Sequence, residues 1–234
     1  MALTLNGATP DYLQYSGAVR SSMPLSIAGW VNISSAGGTI MMIADSGVGD
    51  QYYWLVCFGT KVNAIKRNSG SQAIAAATNT PAFDTWQHAA GVFASSTSTT
   101  VYSNGGNSAT STTSGTPTGL NRTRIGYASD STADWPVYGL VAEVGVWDIA
   151  LAASNVLSLS KGVSPLHVHP ESLIGYWPLI GHSSPSRDLV GSAPMSLINS
   201  PTAGAHPRII RPRSRIWRPP VAAASQTLWA QSAL

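Results

Sequence analysis

The sequence predicts an all-β fold, and three observations carry that prediction. Only 10 % of the 234 residues are charged, and the abundance of Ser, Thr, Ala and Gly suits short strands and turns better than long solvent-exposed helices. Two runs, 39–44 and 52–58, are almost continuously apolar, as strands covered on both faces are in a sandwich interior. From residue 3 to residue 203 such runs alternate with polar turns. The length buries ample surface without a disulfide or metal staple, and Cys57 is alone in any case.

Taken in order, residues 25–31 alternate, with Leu25, Ile27 and Gly29 on one face and Ala28 with Trp30 towards the other. Residues 61–74 predict a hairpin. Asn104-Gly105 after Val101-Tyr102 predicts a tight turn, because both residues tolerate positive φ. The Ser/Thr-rich stretch 95–118 includes a strand and reads as hairpin edges. In 140–147, Leu140, Ala142, Val144 and Val146 share one face, and Glu143, Gly145 and Trp147 the other. A short helix is expected at 152–160, closed by Gly162 in a left-handed cap. Ala152 offers no capping side chain, so its start should fray.

Three blocks carry a family resemblance: Trp86-Gln87-His88-Ala89-Ala90-Gly91-Val92-Phe93, Val101-Tyr102-Ser103-Asn104-Gly105, and Tyr138-Gly139-Leu140-Val141-Ala142-Glu143-Val144-Gly145-Val146-Trp147. They resemble the central hairpin and last core strand of laminin-G-like, concanavalin A-type jelly rolls. The resemblance implies a two-sheet antiparallel sandwich over residues 1–205. Residues 174–179 and 195–198 would be its closing strands, with a turn at 188–191, after which the chain returns to the first strand. Most members bind a ligand rather than transform it, and fold alone does not name the ligand.

Glycosidases with this sandwich carry E-x-D-x-x-E on one strand, and the nearest frame here runs from Glu143 to Asp148 with Gly145 in the middle. A retaining mechanism needs a second carboxylate about 5–5.5 Å from the first, so no enzymatic activity is expected. Glu143 is read as a hydrogen-bond acceptor beside Trp147. Cys57 and His88 have no spacing that makes a nucleophile and base. His167 and His169 would share a face if extended, but Pro165 and Pro170 favour an exposed connector. Calcium is an alternative, at Asp45 and Asp50 or at Asp130 and Asp134; it needs six to eight oxygens, and turn-capping aspartates are the simpler reading. Otherwise no cofactor is expected. Trp30, Trp54, Trp86, Trp147 and Trp177 read as packing residues. Trp135 falls on a loop and is the candidate glycan contact.

Residues 206–234 differ from the body. Residues 1–207 hold eight Lys/Arg against ten Asp/Glu, whereas 208–234 hold five Arg and no acid. Repeated proline favours an extended arm, in which Arg208, Ile209, Ile210, Arg211, Arg213, Arg215, Ile216, Trp217 and Arg218 offer charge and apolar teeth to a partner. Ordering so long an arm demands a groove, on its own sandwich or on a neighbour. Five charges without a folded recognition unit argue against specific nucleic-acid binding. No run reaches the roughly 18–20 apolar residues that span a bilayer, and no leader is visible at the amino terminus. Residues 175–179 and 205–210 also resemble laminin-G-like proteins of tailed bacteriophages. The expectation is a virion protein made in the host cytoplasm, a capsid decoration or cement protein held by its arm to the major capsid protein or to sister subunits as a homo-oligomer. The alternative is a carbohydrate-binding or adhesion module that contacts host glycans.

Overall fold

A computed structural model describes residues 2–210 except Thr9, Ala36, Pro81, residues 129–133, His182 and Pro185. The first strands are β1 (Ala2–Leu5), β2 (Tyr12–Tyr15), β3 (Leu25–Ile33), β4 (Gly38–Ala44) and β5 (Gln51–Phe58). β6 (Lys61–Asn68) and β7 (Ser71–Ala76) form the hairpin expected there. β8 (Gln87–Ser95), β9 (Ser98–Ser103) and β10 (Gly106–Ser111) form a meander. Its second turn places Asn104 at φ 53° and Gly105 at φ 76°, the left-handed pair that matches strand twist. Then follow β11 (Arg122–Ile125), β12 (Gly139–Trp147), α1 (Ala153–Ser160), β13 (Leu173–Trp177), β14 (Ser196–Ile198) and β15 (Thr202–Gly204).

Two antiparallel sheets make a jelly-roll sandwich. One runs β10-β9-β8-β3-β12-β1-β15, with β13 also on β12; the other runs β14-β2-β11-β4-β5-β6-β7. The chain does return to its beginning, because β15 pairs with β1. Between the sheets lie Leu25, Ile27 and Val31 of β3, Met41 and Ile43 of β4, and Tyr53 and Leu55 of β5. The alternation expected for β3 holds. Lys66 also points inward, and its ammonium donates to the carbonyls of Ser95 and Ser96 at 2.7 and 2.6 Å. That contact ties β6 to the β8–β9 turn of the opposite sheet, and burial lowers the Lys66 pKa.

The regular alternation expected for β12 is broken. Ala142 pairs with Trp30 and Gly145 with Ala28, so two residues oppose Gly29. The extra residue is Glu143, at φ 55°. This bulge flips the register, and Val141, Val144 and Val146 face the core instead of Leu140 and Ala142. Gly145 and Trp147 remain on the outer side, where Trp147 donates to the Val168 carbonyl at 2.7 Å.

Helix α1 lies on the outer face of the eight-stranded sheet and buries Val156 and Leu159 against Ala90, Val92 and Trp147. Each such burial contributes about 1.5–3 kcal/mol. Its start is firmer than expected, since the Ala152 amide donates to the Asn155 side chain at 3.1 Å. Gly162 closes it at φ 88°, with the Val163 amide returning to the Ser158 carbonyl. The chain then passes a short turn at Pro165–His167 and reaches β13.

Candidate functional site

On the seven-stranded sheet, residues that alternate with the core point outward. Register places Tyr12 and Gln14 of β2, Arg124 of β11, Met42 and Ala44 of β4, and Tyr52 and Trp54 of β5 on this face. Met42, Ala44, Tyr52, Trp54, Val56 and Ile65 are buried all the same, forming a cluster with Ala128 and the half-buried Trp135. The second cover of β4 and β5 is therefore supplied by Ala128 and Trp135 of the connection between β11 and β12. Trp135 meets Phe58 edge to face at 5.0 Å, and its carbonyl accepts from the Thr39 amide. The Thr39 hydroxyl in turn accepts from the Trp54 indole at 3.1 Å. Trp135 is on a loop as expected, but part of it is committed to packing.

Beside this cover the rings of Tyr12 and Tyr127 stack at 5.0 Å and 23°. The Arg124 guanidinium lies 4.7 Å from one ring centroid and 5.3 Å from the other. It is aimed by Gln14 Oε1 at 2.8 Å and the Ala128 carbonyl at 3.2 Å. Burial lowers the Arg124 pKa, opposed in part by the two tyrosines; a guanidinium nonetheless stays charged. The Tyr127 hydroxyl donates to the Asp134 carboxylate. Burial first, then that hydrogen bond and charge, push the Tyr127 pKa up to about 12, so the phenol remains a donor.

Asp134 also lines a cleft of about 420 Å³ with Pro10, Gly37, Trp135 and Tyr138. Tyr138 is 40 % exposed, and its ring lies so close to Gly7 that a Cβ there would come within 2.3 Å. The cleft and the tyrosine pair are thus joined through Asp134. Clefts of this size, with aromatic walls and a few convergent polar groups, fit small organic ligands. Flat rings take the apolar face of a sugar, while carboxylate, amide and guanidinium take its hydroxyls.

The other expected sites lie elsewhere. Asp45 Oδ1 accepts from the amides of Gly47 and Val48 and from Asn121, and Asp50 pairs with Arg67 at 2.9 Å. Both aspartates cap turns or bind cations of the chain; Asp130 is outside the described residues. No group of three or more His, Cys, Asp or Glu that could hold a metal forms among the described residues. His167 ends the Pro165–His167 turn, and His169 pairs with Glu171 at 2.9 Å. Cys57 faces the inter-sheet core, whereas His88 sits on the outer face of the other sheet beside Trp30. Burial raises the Cys57 pKa to about 12 and lowers that of His88 to about 3, so the pair is neither assembled nor poised. Glu143 is 2 % exposed, accepts the Tyr176 hydroxyl at 2.5 Å, and lies 3.2 Å from His206.

Arg208, Ile209 and Ile210, the first of the expected partner-binding residues, run along their own sandwich. The Ile210 amide donates to the Gly162 carbonyl at 2.6 Å, and the Ser164 amide to the Ile210 carbonyl at 3.2 Å. Arg211, Arg213, Arg215, Ile216, Trp217 and Arg218 lie outside the described residues. Sequence reasoning missed Tyr12, Gln14, Arg124, Tyr127 and Tyr138. A period-two reading of Tyr12-Leu13-Gln14 and Arg122-Thr123-Arg124 would have shown two polar faces, but not that they adjoin.

Sheet order and antiparallel register define a two-sheet jelly-roll sandwich. The chain belongs to the concanavalin A-like lectin/glucanases superfamily, whose model matches residues 7–157. No curated protein matches the sequence. Among solved structures it is similar to a putative carbohydrate binding protein from Bacteroides ovatus, with 17 % identity and a TM-score of 0.54 over 86 % of this chain and 61 % of that one. It spans less than two thirds of that protein. It is similar to the carbohydrate-binding module of the Ruminococcus gnavus IT-sialidase bound to α2,3 sialyllactose, with 13 % identity, a TM-score of 0.53, and 64 % and 93 % of the two chains covered. Domain 4 of an extracellular arabinanase from Geobacillus stearothermophilus, in complex with arabinotriose, gives 21 % identity, a TM-score of 0.52, and coverages of 68 % and 76 %. These likenesses concern the fold.

Proposed function

We propose that the chain is a non-catalytic glycan-binding module whose ligand lies across Tyr12, Tyr127 and Arg124 and enters the cleft beside Trp135. The observation that carries this reading is the stacked tyrosine pair, spanned by one guanidinium and joined through Asp134 to an open cleft. The fold's likeness to modules that bind sialyllactose and arabinotriose supports the class of ligand, and makes those two sugars the first probes. Calorimetry of the full chain against an oligosaccharide panel should find a binder, and Tyr127→Ala should weaken it by about tenfold, the worth of one aromatic contact. Affinity equal to that of the parent in both Tyr127→Ala and Tyr12→Ala would refute the placement.

A capsid-decoration role would have the C-terminal segment held by a foreign surface. Residues 206–210 contact Gly162, Ser164, Pro178 and Glu143 of the same chain, and the rest of the arm lies outside the described residues. The stacked tyrosines beside the cleft and the likeness to carbohydrate-binding modules favour the glycan reading.

A further inference from the structure

A second groove, on the outer face of the eight-stranded sheet, takes no part in that reading. Trp30 of β3 and Trp86 at the entry to β8 line it, along with Lys161 and Gly162 at the end of α1 and Arg208 and Ile210 of the C-terminal segment; its volume is about 520 Å³. We propose that this groove binds an acidic polysaccharide, stacking sugar rings on the two indoles and pairing their carboxylates or sulfates with Lys161 and Arg208.

The parts are held in place by independent contacts. Trp30 is fixed edge-on by His88, at 5.4 Å and 70°, and His88 is buried and held neutral by burial. It supports the indole without adding charge. Trp86 enters β8 just before Gln87 and His88, which are pinned to the β9–β10 turn: the His88 amide donates to Asn104 Oδ1 at 2.9 Å, and Asn104 donates to Gln87. The opposite wall is the C-terminal segment, with Pro207 buried and Ile210 bridged to Val163. That wall can approach only because residue 162 is glycine, since a Cβ there would meet the Arg208 carbonyl at 2.6 Å.

Charge selects the occupant. Lys161 and Arg208 are exposed, and no carboxylate lines the groove among the described residues. A one-signed patch of this kind concentrates anions, while paired indoles select ligands with flat apolar faces. Single-stranded nucleic acid also combines rings with charge, but a saccharide suits the fold. The site lies on the opposite sheet from Tyr12 and Tyr127 and stands without them.

The test is titration of the full chain with oligogalacturonate, with neutral oligosaccharide and oligothymidylate as the other arms. The acidic glycan should bind and weaken as salt is raised. Trp86→Ala and Lys161→Glu should each weaken it about tenfold, with melting temperatures near that of the parent. Unchanged affinity in both groove variants would overturn the proposal. So would tighter binding of oligothymidylate through the same residues, or a loss seen only when Arg211, Arg213, Arg215 and Arg218 are neutralised. Neutral sugars that lose binding in Tyr12→Ala but not in Trp86→Ala report separately on the first cleft.

Discussion

At the scale of single residues, Arg124 decides how the proposed glycan face is built. Its charge sits over two rings and its nitrogens are aimed by Gln14 and the Ala128 carbonyl. Cation–π contacts contribute about 0.5–2 kcal/mol each, and a planar fork is what two stacked rings and two acceptors need. Arg124→Lys should therefore lose about 1 kcal/mol in urea titrations and weaken glycan binding, although charge is kept. Two histidines set opposite pH limits. Partial burial alone would depress His206, but Glu143 and the Pro207 and Pro178 carbonyls outweigh it and raise its pKa above the ordinary 6.5. The folded chain then holds that proton more tightly, so this contribution is complete below 6.5 and lost as pH rises through the raised value. His88, lowered to about 3 by burial, stabilises above 6.5 and its contribution is lost as pH falls from there. Melting curves across this range should show Glu143→Gln and His206→Gln losing the alkaline-side decline and keeping the acid-side one.

At the scale of elements, α1 and its exit both hold the second groove. Asn155→Ala removes the only side chain that meets the Ala152 amide among the described residues and should cost about 0.5–1 kcal/mol by chemical denaturation. Gly162→Ala should cost about 1–3 kcal/mol, because a left-handed φ of 88° becomes strained and a Cβ collides with the Arg208 carbonyl. Protease nicking near residues 206–210 should rise in that variant. Strand-level features were readable where local chemistry decides them. The apolar runs of β4 and β5, the alternation of β3, the Asn104-Gly105 turn and the Gly162 cap all follow from residues within a few positions of one another. The β12 bulge did not, because a glutamate took the left-handed conformation where no glycine or asparagine announced it. Its compensation, Tyr176 and His206 on one carboxylate, comes from distant strands. The candidate site was hidden for the same reason: Gln14 and Arg124 are 110 positions apart, and only sheet order makes them neighbours.

At the scale of the whole molecule, the described sandwich closes on itself. β15 returns to β1, and Pro207 to Ile210 dock beside α1. A chain ending at Ile210 should melt within a few degrees of the full one, as its inter-sheet core and outer helix are intact; a loss of cooperative melting would show that residues 211–234 belong to the fold. The central claim concerns the outer face of the seven-stranded sheet, and side-chain NMR of the full chain with its tightest oligosaccharide tests it most directly. The Arg124 Nε–H and Trp135 indole signals should move together and saturate along one isotherm, and Tyr127→Ala should abolish both shifts. Saturable binding that leaves both signals in place would contradict the account.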